Sequence, residues 1–342
     1  MPFEPIRPKD DPRVTHEFAV LNGRKYHYVH GLPQQQPPRA TILCIHGFPD
    51  LWYSWRHVIP GLLAMGLRVI VPDMIGYGQT DMPIVTSPES YAAYSWKSSS
   101  DDMAALLAHL SIPRVILLGH DWGGAIVSRI YLHHPDVVSS IISVCTAYYP
   151  PMREYMPIAA VARHIPSFTY QVAFCDPQTE RDVKTPEDIG RFLRGIHRGL
   201  GDGFDGKIQV TADFMKELGD QPRGKLMTEE DLAYYVEQYS RNGMHGPLNW
   251  YKCRYENYLD EKDLETATID VPYLYVAATH DIATPPSMAA LQSKFIPNLT
   301  ERSLKASHWI PEEAPEQLLE ILQEWLGRTG FGSHAAVDEP KL

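Results

Sequence analysis

Arg114-Val115-Ile116-Leu117-Leu118-Gly119-His120-Asp121-Trp122-Gly123-Gly124 decides how this chain is read. A short, wholly apolar run meets Gly-x-Asp-x-Gly, and a helix-forming segment follows from residue 125 to about 134. Strand, sharp turn and helix in that order make a nucleophile elbow, in which small flanking residues let one strained side chain stand exposed above a sheet. The usual occupant is serine; here it is Asp121. Serine needs a base before it can attack, whereas a carboxylate is already ionised at neutral pH. Attack by Asp121 on a tetrahedral carbon leaves an alkyl ester whose carbonyl belongs to the protein. A base is then needed only for the second step, to aim water at that carbonyl. The elbow points away from esters and amides and toward strained or halogenated carbon.

The segments around the elbow predict an α/β fold. Residues 40–45, 67–71, 115–118 and 138–144 are continuous apolar strands of the kind buried in a parallel sheet, and helix-like segments separate them. Asp101 and Asp102 suit the first turns of a helix predicted over 101–110. Ahead of these, residues 16–21 and 25–30 flank Asn22-Gly23, a strong hairpin signal, and residues 1–15 read as a loosely held arm. From Tyr148-Tyr149-Pro150-Pro151 the alternation stops. Residues 148–260 are helix-like, aromatic and Met-rich, so they are expected to form a helical lid inserted into a core domain of residues 1–147 and 261–330. The alternation resumes with strands at 273–278 and 299–305 and a helix at 316–326, and residues 331–342 read as a disordered tail.

Composition narrows the function classes. The chain has 342 residues, 44% of them apolar, and a formal net charge of −11, which gives no electrostatic reason to expect nucleic acid. No apolar run is long enough for a membrane span, and the N-terminus has no signal-peptide pattern. The four cysteines, Cys44, Cys145, Cys175 and Cys253, are scattered and form no Cys-x-x-Cys, which fits a reducing, cytoplasmic setting. The final Pro340-Lys341-Leu342 is a faint echo of a peroxisomal address. No His, Cys, Asp and Glu grouping has metal-ligand spacing and no glycine-rich phosphate loop is present, so neither metal nor cofactor is expected.

Loops at the carboxyl ends of sheet strands face one crevice, so distant residues can meet there. Asp121 is one such residue; Asp281 follows the strand at 273–278, and His308 follows the last strand in Ser307-His308-Trp309. Nucleophile, acid, histidine is the chain order of α/β-hydrolases. Asp281 would then hold the tautomer of His308, and His308 would take a proton from water. His46-Gly47-Phe48-Pro49 ends the strand beside the elbow, so the N–H groups of Phe48 and Trp122 are candidates for an oxyanion hole. His46 itself reads as a structural hydrogen-bonder beneath the site.

On these residues the chain resembles the epoxide hydrolases of the α/β-hydrolase superfamily, soluble type. The resemblance rests on His46-Gly47-Phe48-Pro49, Trp52-Tyr53-Ser54-Trp55-Arg56, Gly119-His120-Asp121-Trp122-Gly123-Gly124 and Ser307-His308-Trp309. Two lid segments extend it, Phe168-Thr169-Tyr170-Gln171 and Gly246-Pro247-Leu248-Asn249-Trp250-Tyr251. It implies that Tyr170 and Tyr251 hydrogen-bond the epoxide oxygen, that Phe48, Trp122 and Trp250 touch an apolar epoxide substrate, and that water is the second reactant. Chain length leaves no room for the N-terminal phosphatase domain that some members carry. Where the family often has Lys or Glu before the acid, this chain has His280. Two rivals share parts of the pattern: a haloalkane dehalogenase, with the same Asp elbow and adjacent Trp, and a ligand receptor on a retained hydrolase scaffold.

Overall fold

The computed structural model describes residues 3–202 and 218–330. Eight strands form one sheet: β1 (Val14–Leu21), β2 (Arg24–Gly31), β3 (Ala40–Ile45), β4 (Leu67–Pro72), β5 (Val115–His120), β6 (Val138–Val144), β7 (Tyr273–Ala278) and β8 (Leu299–Leu304). Their spatial order is β1-β2-β4-β3-β5-β6-β7-β8. The β1–β2 hairpin is antiparallel, and its Asn22-Gly23 turn has φ of 49° and 83°, the positive values that a tight hairpin turn requires. β2 pairs antiparallel with β4, and every later pairing is parallel. β5 and β7 are buried along their whole length, which is why they read as unbroken apolar runs.

Parallel strands reached through crossover helices put their carboxyl ends on one edge. α1 (Ile59–Ala64), α2 (Trp96–His109) and α3 (Trp122–His133) make the crossovers around β3, β4, β5 and β6. β3 lies directly against β5, with Ile45 beside Gly119, so the loop after β3 meets the turn after β5. Gly123 makes that approach possible, because a Cβ there would stand 2.0 Å from the Ile45 carbonyl oxygen.

Among the described residues between β6 and β7 there are helices and no strand. These are α4 (Ile158–His164), α5 (Thr169–Cys175), α6 (Pro177–Asp182), α7 (Pro186–Ile196), α8 (Glu229–Asn242), α9 (His245–Lys252) and α10 (Arg254–Glu261). α11 (Ile310–Glu313) and α12 (Pro315–Arg328) close the fold. Buried Arg56 ties these parts together, pairing with Glu312 of α11 and lying 3.5 Å from Asp231 of α8.

Two expectations are corrected. α2 begins at Trp96, where the Ser95 hydroxyl accepts from the Ser98 N–H at 3.1 Å, so Asp101 and Asp102 fall inside the helix. Their charge serves tertiary partners instead of the helix start: buried Asp102 accepts from Tyr26, Arg24 and Asn22 at 2.5, 2.7 and 2.9 Å. The N-terminal arm is also fastened. Ile6 is fully buried, its N–H donates to the Arg56 carbonyl at 2.8 Å, and Asp11 is ion-paired with Arg13 at 2.6 Å. No helix among the described residues is long and apolar enough to cross a membrane. The tail at 331–342, with Pro340-Lys341-Leu342, lies outside the described residues.

Candidate active site

Asp121 follows β5 with φ 54° and ψ −121°, a backbone state that costs a non-glycine residue on the order of 1–3 kcal/mol and persists only where its surroundings enforce it. The enforcement is visible. Its carbonyl accepts from the Thr146 hydroxyl at 2.7 Å and the Gly124 N–H at 2.9 Å, and its carboxylate Oδ1 accepts from the Phe48 N–H at 2.7 Å. Gly47 lets the Phe48 loop come this close, since a Cβ at Gly47 would lie 2.2 Å from that same oxygen. Trp122 is the first residue of α3.

His308 stands between two carboxylates. Its Nδ1 lies 2.7 Å from Asp281 Oδ2, and its Nε2 lies 3.4 Å from Asp121 Oδ2. Asp281 is itself fixed: the Ala283 and Thr284 N–H groups donate to Oδ1 at 2.8 and 2.9 Å, and the Thr284 hydroxyl donates to Oδ2 at 2.8 Å. Burial pushes the Asp281 carboxyl up, but the His308 charge and hydrogen bond, with the Thr284 donors, outweigh it and hold it at about 2. For His308 burial acts downward, and the charges of Asp281 and Asp121 overcome it, raising the imidazole well above its usual value. One of those two charges sits on Asp121, so neutralising that carboxylate lowers the proton affinity of His308 and favours its neutral form.

Tyr170 on α5 and Tyr251 on α9 face one another, with ring centroids 6.2 Å apart. Tyr251 packs edge-on against Phe48 at 5.1 Å and Trp122 at 5.2 Å. Burial raises both phenols far above their usual value, with the Asp121 charge adding to the rise, so both are protonated donors at neutral pH. Asp121, Trp122 and Tyr170 line one cavity of about 270 Å³, whose other walls include Val161, Ile165 and Phe168.

Trp250 is corrected. It is buried, its indole N–H donates to the Ile75 carbonyl at 3.0 Å, and it packs against Tyr77 at 5.9 Å. Neither it nor Phe48, the other aromatic expected to touch substrate, nor Tyr251 lines the cavity. The place of Trp250 in an aromatic motif next to Tyr251 suggested substrate contact, but α-helical neighbours project about 100° apart, so Trp250 faces the core. His46 accepts from the Met74 N–H at 3.0 Å, beneath the site.

Sequence reasoning missed three features. Asp50 is fully buried; its carboxylate accepts from His197 and Tyr235, both at 3.2 Å, and so joins the loop after β3 to the helical block. A buried acid after His46-Gly47-Phe48-Pro49 carries no local pattern that names distant partners. His120, Cys145 and His308 place potential ligand atoms within 4.8 Å of one another. His120 Nε2 and the Cys145 thiol both contact the His308 carbonyl, at 2.7 and 3.1 Å, and burial keeps that thiol protonated, so the trio reads as hydrogen-bonded support for His308. The third feature is a pair of arginines, Arg129 and Arg254, on the cavity wall.

Residues 40–173 match the family model of the alpha/beta hydrolase fold. The chain is 34% identical over 337 residues to epoxide hydrolase srdG of Neurospora crassa, covering 92% of this chain and 96% of that protein. It is 32% identical over 333 residues to the bifunctional epoxide hydrolase 2 of Rattus norvegicus, covering 94% of this chain and 56% of the rat protein, so it spans little over half of that relative. Among solved structures, an epoxide hydrolase from an endophytic Streptomyces superposes with a TM-score of 0.79 at 27% identity, over 93% of this chain and 97% of that one.

Proposed function

The chain belongs to the epoxide hydrolases of the α/β-hydrolase fold, and from that membership we propose how its residues convert an epoxide and water to a vicinal diol. Asp121 Oδ2 attacks a ring carbon while Oδ1 stays on the Phe48 N–H. The carbon–oxygen bond of the ring breaks, and its electron pair goes to the departing oxygen. Tyr170 and Tyr251 hydrogen-bond that oxygen, and one of them supplies its proton. The product of this step is an alkyl ester on Asp121.

Loss of the Asp121 charge lowers the proton affinity of His308, so the imidazolium releases its proton to solvent and the neutral imidazole then takes a proton from water. The hydroxide adds to the ester carbonyl carbon, and the negative charge that develops on Oδ1 meets the N–H groups of Phe48 and Trp122. Collapse expels the diol oxygen, which takes the proton from His308; the carboxylic acid formed at Asp121 then gives up its proton and the tyrosinate left by the first step takes one back, so that Asp121 is a carboxylate and both phenols are protonated again. Asp281 holds His308 in the required tautomer throughout.

The observation that carries this reading is the Asp121 carboxylate itself, held on one oxygen by Phe48 and facing His308 on the other, at the wall of a cavity shared with Tyr170. In the proposal the helices between β6 and β7 act as a lid that brings the phenols over the nucleophile. The proposed setting is cytoplasmic, in keeping with four free cysteines. The test is diol formation from a panel of aryl and alkyl epoxides, with Asp121→Ala alongside. Catalytic diol from the wild type alone supports the reading. Diol surviving in the variant overturns it, and release of halide from haloalkanes in place of diol moves it to dehalogenation.

A further inference from the structure

The two arginines on the cavity wall are treated differently by their surroundings. Arg129 is neutralised: Nε and Nη2 donate to the two carboxylate oxygens of Glu261 at 2.9 and 3.2 Å, and Nη1 donates to the Tyr149 carbonyl at 2.8 Å. Arg254, the first residue of α10, has no such counter-charge. Its Nε donates to the Met156 carbonyl at 2.7 Å and its Nη2 meets the Met152 sulfur at 3.2 Å, and among the described residues no carboxylate pairs with it. Of the five N–H donors a guanidinium carries, the Nη1 pair and one on Nη2 are left over. Burial is the main influence on its proton affinity and lowers it; the groups opposing that are Tyr155 and Cys175, a phenol and a thiol. Met152, Val161, Ile165 and Phe168 are apolar residues of the same cavity wall.

A partly desolvated cation with donors to spare, in a cavity whose wall is mostly apolar, is suited to a planar anion. We propose that Arg254 is the specificity residue for epoxides that carry a carboxylate at the far end of an apolar chain. The ring lies at Asp121 and the carboxylate is received by the free face of the guanidinium. One guanidinium matches one negative charge. A phosphate dianion in the same cavity would share it with the Asp121 carboxylate and have a single cation to hold it, so a carboxylate fits better. The assignment rests on the epoxide-opening reading of Asp121.

The test compares ω-epoxyalkanoic acids, from epoxyoctanoic to epoxyundecanoic acid, with their methyl esters in the wild type, Arg254→Gln and Arg254→Lys. The wild type is expected to favour acid over ester by about ten- to hundredfold in kcat/KM, the range of a charge-assisted hydrogen-bonded pair. The preference should be carried by KM, should peak at one chain length and should shrink with added salt. Arg254→Gln is expected to bring the acid-to-ester ratio to about one, and Arg254→Lys to restore part of it. A ratio near one in the wild type, or a ratio that survives Arg254→Gln, overturns the assignment while leaving the epoxide chemistry standing. If neither substrate is turned over, the epoxide reading fails separately, and calorimetry with undecanoic acid and its methyl ester still decides Arg254. Tighter binding of the acid that is lost in Arg254→Gln keeps the site, and equal binding of acid and ester removes it.

Discussion

Asp121, Asp281 and His308 stand just past the ends of β5, β7 and β8; backbone and hydroxyl donors fix the two carboxylates, and the Asp281 carboxylate holds the His308 ring. Tyr170 and Tyr251, on α5 and α9, are placed mainly by the rings around them: Phe48, Trp122, Phe174 and one another. The strand side holds charges whose positions must not drift, because a buried carboxylate or imidazolium is costly unless paired. The helical side holds neutral phenols, which tolerate ring packing as their main anchor. In the proposed mechanism the first region supplies the nucleophile and the base, and the second supplies the donors to the epoxide oxygen.

The comparison is broken most sharply at Asp121. Asp121→Ala is expected to lose about ten-thousandfold or more in kcat, because no other carboxylate occupies the elbow; a steady-state diol assay reads this. His308→Gln comes next. It should still form the ester but not hydrolyse it, so kcat falls by about a thousandfold while intact-mass measurement finds the substrate added to the protein. Failure of the adduct to accumulate would place His308 in the first step. On the helical side the effects should be smaller singly and larger together. Tyr251→Phe and Tyr170→Phe are each expected to cost about ten- to a hundredfold, since one phenol remains, and the double variant should cost more than their product.

Stability supplies a finer contrast. The folded state raises the His308 pKa, so that group's contribution is fully present below the unfolded value of about 6.5 and is lost as pH rises through the folded value. The difference in unfolding free energy between wild type and His308→Gln should therefore narrow as pH rises above about 6.5 in denaturant titrations. Asp281 works in the opposite sense: its contribution is present above about pH 4 and is lost as pH falls toward about 2. The smallest catalytic effect is expected at Trp250→Phe, which breaks the bond to Ile75 and leaves a gap. It should cost about 2 kcal/mol of stability while kcat changes less than in either phenol variant.

The same division explains what the sequence makes readable. β3, β6 and β7 are recognisable to the residue because strands covered on both faces are unbroken apolar runs, and the strand-end loops then single out Asp121, Asp281 and His308. The helices over these ends carry no such punctuation. Tyr170 and Tyr251 are two among 19 tyrosines, and only a resemblance selects them, while the same resemblance put Trp250 on the wrong face. Asp102 and Asp50 were opaque for a related reason: their partners, Tyr26 and His197, lie far off in sequence, and tertiary pairing overrides local helix and loop signals. Arg254 could not be separated from Arg129 without seeing which of them Glu261 neutralises.

The most direct test of the central claim is a single turnover in heavy-oxygen water, with enzyme in excess over epoxide. If Asp121 forms the ester and water attacks its carbonyl, the oxygen added to the diol comes from Asp121. The first diol is then unlabelled and the label appears in the peptide that contains Asp121. Label in the first diol and none in that peptide would mean that water opens the epoxide directly, which would contradict the account.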